Sequence, residues 1–161
     1  MRAGPRAGDQ DRSGPDVTAL YRQHADGLRG LAYLMTGVRE AAEEIVHDAF
    51  VRVHGRYAAL DAPVAYLRTT VVNLCLDWQR RSAMERQRTV GLVERPAGPV
   101  EIDETWDLLA ELPQDQRVAL VLRYYEDLPI DEIARLMDCS PVTVRTRIHR
   151  AITRLRKEMT P

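Results

Sequence analysis

From Leu20 onward, apolar side chains return every three or four positions. Leu20, Leu28, Leu31 and Leu34, with His24 in the same phase, share one side of a helix that Gly37 ends. A second helix is predicted from about Arg39, with Ala42, Ile45, Val46, Ala49, Phe50 and Val53 on one face. Its other face carries Glu40, Glu43, Glu44 and Asp48. After a loop from Gly55 to Ala62, Pro63 opens a third helix with Tyr66, Leu67, Val71, Leu74 and Trp78 inward. No stretch alternates with period two for long enough to propose a sheet, so this lobe, residues 17–88, is read as all-α.

Beyond Ser82 the apolar period fades, and Gly91 to Pro99 holds two Gly and two Pro, the composition of a linker, set at 89–104. A second helical lobe, 105–161, starts near Thr105, breaks at Leu112-Pro113 and resumes from Gln114 to Tyr125. It then enters IDEIARLMDCSPVTVRTRIHRAITRLRK, Ile130 to Lys157, two helices about a tight turn. Asp138 takes the turn because Asp tolerates left-handed geometry; Ser140 caps the next helix, and Pro141 fits its first position. At 100° per residue, Val144, Ile148, Ala151, Ile152 and Leu155 form one apolar arc; Thr143, Thr146, Arg147, Arg150 and Arg154 form a polar one. This is a helix-turn-helix pattern whose second helix suits a DNA major groove. The blander reading is a basic amphipathic helix that solvates one face. Two lobes joined by a Pro/Gly segment carry relative motion as the default expectation.

Composition narrows the choice. In 161 residues there is room for one domain or two small ones, and 45% hydrophobic with 29% charged residues describes an ordinary soluble protein. No apolar run approaches the ~20 residues of a membrane span, and the opening MRAGPRAGDQDRSGPD lacks the apolar core of a signal peptide. Residues 1–16 are read as a disordered tail. Cys75 and Cys139 lie far apart within helical regions, which predicts reduced thiols and a cytoplasmic protein rather than a disulfide. The net charge of −1 hides an asymmetry. Glu101, Asp103, Glu104, Asp107, Glu111 and Asp115 precede the reading helix without a base among them, whereas residues 141–157 carry six bases and no acid. A near-neutral total argues against a freestanding, charge-driven nucleic-acid coat and leaves room for a larger partner.

The third helix ends in Arg80, Arg81, Arg86 and Arg88 against one Glu85, with Arg68, Asn73 and Asp77 upstream and Tyr66 and Trp78 nearby. Charges that follow phosphates, rings that stack bases and an amide that reads an edge suit single-stranded DNA. Equally, Tyr66 and Trp78 are core residues and the arginines solvate a helix end; a second, duplex-reading lobe tips the balance toward DNA.

With these pieces in order, the chain resembles the extracytoplasmic-function sigma factors, the two-domain specificity subunits of bacterial RNA polymerase. AEEIVHDAF resembles the family's polymerase-binding helix, AYLRTTVVNLCLDWQRR its −10 segment, and LPQDQRVALVLRYYEDLPIDEIARLMDCSPVTVRTRIHRAITRLR its −35 domain. The resemblance implies an all-α fold of two helical domains. It places Asn73, Asp77 and Trp78 against the melted −10 strand, with Arg80 and Arg81 on its phosphates and Arg68 also among the −10 contacts. It implies that the loop Tyr57 to Ala62 helps capture a flipped base. Thr143, Thr146, His149 and Arg150 would face −35 bases, with Arg123, Arg145 and Arg147 on the backbone. Glu44, Asp48 and Phe50 would meet the clamp helices of the polymerase's largest subunit, the flap being the other contact, and residues 101–104 would pass along its basic RNA channel. It also implies control by an anti-sigma protein, no cofactor and no catalytic residue.

Three positions depart from the family pattern. His47 stands where Gln is usual, Asp138 where the turn commonly has Gly, and Val142 where the reading helix commonly starts with a small residue such as Gly. The last makes the −35 sequence hard to forecast. Two other readings compete. One is a helix-turn-helix regulator that binds duplex DNA without polymerase, which would not need the 66–88 segment. The other is a metal-dependent phosphohydrolase, because His24, His47-Asp48 and Asp77 follow a His…His-Asp…Asp order; His24 lies in the apolar phase of its helix, and no phosphate-binding loop accompanies them.

Overall fold

The computed structural model describes residues 14–88 and 103–160. The predicted tail and linker fall outside the described residues except for their last few positions. Three helices form the first lobe: α1 (Gly14–Thr36), α2 (Arg39–Arg56) and α3 (Pro63–Arg88), with a 3₁₀ turn, Tyr57–Ala59, between the last two. Four form the second: α4 (Asp103–Ala110), α5 (Gln114–Tyr124), α6 (Ile130–Leu136) and α7 (Pro141–Met159). Among the described residues there is no strand, so the chain is all-α as the periodicity predicts.

Local chemistry sets the helix ends. Gly37 takes φ 72°, and its amide donates to the Tyr33 carbonyl at 2.8 Å, closing α1 with a left-handed cap. Asp138 does the same work at φ 52°, while the Cys139 amide donates to the Ala134 carbonyl at 3.0 Å. Ser140 Oγ accepts from the Thr143 amide at 3.2 Å, and Pro141 follows it as the first residue of α7. Asp127, at φ 54°, is a third left-handed position, in the turn between α5 and α6.

The first lobe buries the predicted face of α2 against α1 and α3, around Leu31, Met35, Val46, Val53, Leu67, Val71 and Cys75. The second lobe closes on Val118, Leu122, Ile133, Val144, Ile148 and Ala151, so the helix-turn-helix packs its apolar arc onto α5.

The two lobes are packed together, where the sequence alone leads to independent units. Residues 31–36 of α1 are buried without interruption, as are Val118 to Leu122 of α5. An unbroken buried run on a helix needs neighbours on more than one side, and α1 and α5 are those neighbours for each other. Tyr33 packs its ring 4.6 Å from that of Trp106, which also lies under the Arg117 guanidinium at 5.4 Å. The Met35 carbonyl, one of the last four of α1, has no partner within its helix. It accepts hydrogen bonds from Gln79 Nε2 and, at 3.5 Å, from Arg117 Nη2. A cation at a helix C-terminus also complements the helix dipole.

Candidate nucleic-acid interface

On α3, Asn73, Asp77, Arg80 and Arg81 are exposed, and Trp78 is half-buried. Helical phase puts Asn73, Asp77 and Arg80 within an arc of about 60°. Asp77 Oδ1 accepts from Arg80 Nη1 at 3.2 Å and so orients that guanidinium. Trp78 and Arg81 turn to the other side, where they line a cleft with Ala41, Glu44, Ile45 and Asp48 of α2. The structure thus brings Trp78 and Arg81 of the −10 set and Glu44 and Asp48 of the polymerase-binding set to one groove. Phe50 of the second set is a core residue whose ring packs at a tilt against that of Tyr21, centroids 4.9 Å apart. Its part is to seat α2 so that the exposed Glu44 and Asp48 face outward. In the loop, Tyr57 and Leu60 lean on the core while Ala58, Ala59, Asp61 and Ala62 are exposed.

Two of the α3 cations are engaged by the second lobe. Arg80 Nη2 donates to the Leu136 carbonyl at 3.3 Å, and Arg68 Nη2 stands 3.6 Å from Glu126 Oε1. Burial raises the Glu126 carboxyl above the ordinary Glu range, and the Arg68 charge pulls it part of the way back. No sequence signal identified Glu126 and Leu136 as partners, because they lie on another lobe.

On α7, Arg145, Thr146, His149 and Arg150 are exposed, opposite the buried Val144, Ile148 and Ala151. Thr143 is half-buried, its hydroxyl 2.9 Å from Ser140 Oγ and so within the cap. Thr146 Oγ1 donates to the Val142 carbonyl at 3.0 Å. Arg147 turns inward: it is half-buried, 3.5 Å from Asp115 and 3.6 Å from Cys139 Sγ. Arg123 is held at the α5–α6 turn by the Leu128 carbonyl at 3.3 Å and by Asp127 at 3.6 Å. Val142, marked in the sequence only as a departure at the head of the reading helix and not as a contact residue, is 68% exposed on this surface. The available signal was its phase, outside the apolar arc.

Among the described residues, no three His, Cys, Asp or Glu side chains gather as metal ligands. His24, His47, Asp48 and Asp77 therefore do not form the phosphohydrolase constellation. No described helix is long and apolar enough to cross a membrane.

Comparison with known proteins accords with this geometry. The family description "Sigma-70 region 2" matches residues 20–84, which run from α1 into α3, and "Sigma-70, region 4" matches residues 102–155, which run from α4 into α7. The RNA polymerase sigma-E factor of Streptomyces coelicolor is 32% identical over 126 residues, 73% of this chain and 71% of that protein. The ECF RNA polymerase sigma factor SigW of Bacillus subtilis is 28% identical across 96% of this chain and 92% of its own length. Among solved structures, the sigma factor RpoE in complex with the anti-sigma factor NepR from Bartonella quintana superposes with a TM-score of 0.64. It has 22% identity and covers 88% of this chain and 95% of that one.

Proposed function

The chain belongs to the sigma-70 family, in its extracytoplasmic-function group, and from that premise we propose how its residues divide the work. A sigma factor of this kind binds core RNA polymerase, recognises the −35 and −10 promoter elements, helps melt the −10 region and directs initiation. Residues 17–88 act as the −10 and polymerase-binding domain, and 105–161 as the −35 domain. Asn73, Asp77 and Trp78 hold the opened −10 strand while Arg68, Arg80 and Arg81 follow its phosphates. Melting then draws on binding energy, captured bases offsetting the lost stacking. Thr143, Thr146, His149 and Arg150 read the −35 duplex, and Arg123, Arg145 and Arg147 steady its backbone. Arg147 does so only after leaving Asp115. Glu44 and Asp48, seated by Phe50, take the clamp helices of the polymerase.

The observation that carries this reading is one chain with two exposed polar strips, one on α3 and one on α7, each opposite the apolar face its helix buries in the core. Because Arg68 and Arg80 are tied to Glu126 and Leu136, both contacts must release before the two cations reach a DNA strand. The packed lobes are therefore a resting arrangement, and polymerase binding selects the separated one. An anti-sigma protein that prefers the packed lobes is the regulator we infer. The site of action is the cytoplasm, where the polymerase is, and nucleotide chemistry belongs to the polymerase.

Run-off transcription with core polymerase tests this. The protein should direct initiation at defined start sites and bind promoter duplex weakly by itself. Tight, sequence-specific duplex binding alone, with no stimulated transcription, would replace the reading by that of a freestanding regulator.

A further inference from the structure

At the start of the reading helix, the residue turned furthest from the core is not polar. Val142, Thr146, His149 and Thr153 lie within an arc of about 60°, diametrically opposite the buried Val144, Ile148 and Ala151. Val142 heads that strip, second in α7 and 68% exposed. A lone exposed apolar side chain is ordinary on a protein surface. What sets this one apart is its position, since the first residues of a recognition helix are those that reach base edges.

The immediate surroundings limit what this end of the helix can read. Thr146 commits its hydroxyl proton to the Val142 carbonyl, so toward a base it acts as an acceptor. The Thr143 hydroxyl is taken up with Ser140. The Val142 isopropyl group then meets the groove as an apolar surface. In the major groove one base carries an apolar group, the 5-methyl of thymine. Valine suits such a contact because branching at Cβ restricts its χ1 within a helix, so little freedom is lost on docking. Pro141 and the Ser140 cap hold the backbone of this turn in place. Four residues of helix rise separate Val142 from Thr146, about 6 Å, under two base-pair steps. Their targets are therefore neighbouring pairs.

We propose that Val142 is a specificity-determining residue of the −35 reader, packing its isopropyl group on the 5-methyl of one thymine; this rests on the −35 role assigned to α7.

The test selects −35 sequences from a randomised library with holoenzyme reconstituted from the full chain, comparing wild type, Val142→Ala and Arg150→Ala. Wild type should enrich thymine at one position of one strand, and Val142→Ala should flatten that position alone, with an unchanged melting temperature. Replacing that thymine by uracil deletes one methyl and no hydrogen-bonding group. Initiation should fall about fourfold with wild type and not at all with Val142→Ala, the size expected for one methyl withdrawn from contact. Identical selections for wild type and Val142→Ala, or a uracil effect equal in both, overturn the role of Val142 while Arg150→Ala still shifts −35 preference. If wild type enriches no −35 sequence, or Arg150→Ala also selects as wild type does, the −35 assignment of α7 falls together with it.

Discussion

Arg68 on α3 and Glu126 beyond the end of α5 stand 3.6 Å apart across the junction of the two lobes, the carboxylate side chain 5% exposed and the guanidinium 52%. The imbalance matters because the buried partner carries the desolvation penalty. Glu126 has a folded-state pKa above its unfolded one, from burial first, with Arg68 opposing. Folding therefore takes up a proton. The packed arrangement is most stable below the ordinary Glu pKa and loses stability as pH rises through the raised value. Arg68→Ala should destabilise the protein by about 1 kcal/mol at neutral pH, a figure kept small because the arginine is half in water. The loss should shrink as pH falls, and Glu126→Gln should remove that pH dependence. Thermal melts between pH 4 and 8 check this; a loss in Arg68→Ala that ignores pH would contradict it.

Two left-handed residues should respond to substitution with opposite signs. At Gly37, φ 72°, an added Cβ would sit 3.1 Å from Trp106 Cη2, so Gly37→Ala meets both backbone strain and a clash at the lobe junction. A destabilisation above ~1 kcal/mol is expected, together with altered tryptophan fluorescence. Asp138→Gly, at φ 52°, relieves the same strain and should be neutral or stabilising by up to ~1 kcal/mol. Equal shifts in melting temperature for the two variants would show that the backbone argument fails.

For promoter recognition, the two strips should separate cleanly. Asn73→Ala should change −10 choice and slow opening while −35 preference stays. Arg150→Ala should do the reverse. Each lost base contact is expected to cost about 1–3 kcal/mol in initiation at the cognate promoter. Transcription from a panel of −10 and −35 variants distinguishes them, and two mutants with wild-type preferences would remove both assignments.

Thiol chemistry should differ between the two cysteines. Burial pushes the Cys75 thiol up to about 12, so at pH 8 roughly one molecule in ten thousand carries the reactive thiolate. Cys139 is half-exposed, and both cysteines are free. An alkylating reagent should label Cys139 in the native protein and reach Cys75 only after denaturation, as peptide mass mapping would report. Native labelling of Cys75 would mean that the core around Leu67 and Val71 opens readily.

Ser140→Ala removes the oxygen that accepts the Thr143 amide, which should cost about 1 kcal/mol. It also frees the Thr143 hydroxyl, so −35 preference should shift more than stability alone explains. Comparison with Ser140→Thr, which keeps an accepting oxygen, separates the two effects.

Much of this protein is determined by sequence alone, because the signals are local. The buried face of α2, the Gly37 stop, the left-handed Asp138 and the Ser140 cap each depend on residues within about one helical turn, where phase and side-chain chemistry suffice. So does the strip of Thr146, His149 and Arg150 on α7, the complement of an apolar arc. Tertiary structure alone decided how the lobes meet. Periodicity reports one apolar stripe per helix, but α1 and α5 bury a second side, and that side is built from Tyr33, Trp106, Gln79 and Arg117 as well as aliphatic residues. Hydropathy cannot mark such a surface. Its bonds join residues 82 and 98 positions apart, Arg117 to Met35 and Tyr125 to Gly27. The same limit turned Arg147 toward Asp115 and tied Arg68 and Arg80 to the other lobe. A cation bound for phosphate and one bound for a buried carboxylate read alike in sequence; the partner across space tells them apart.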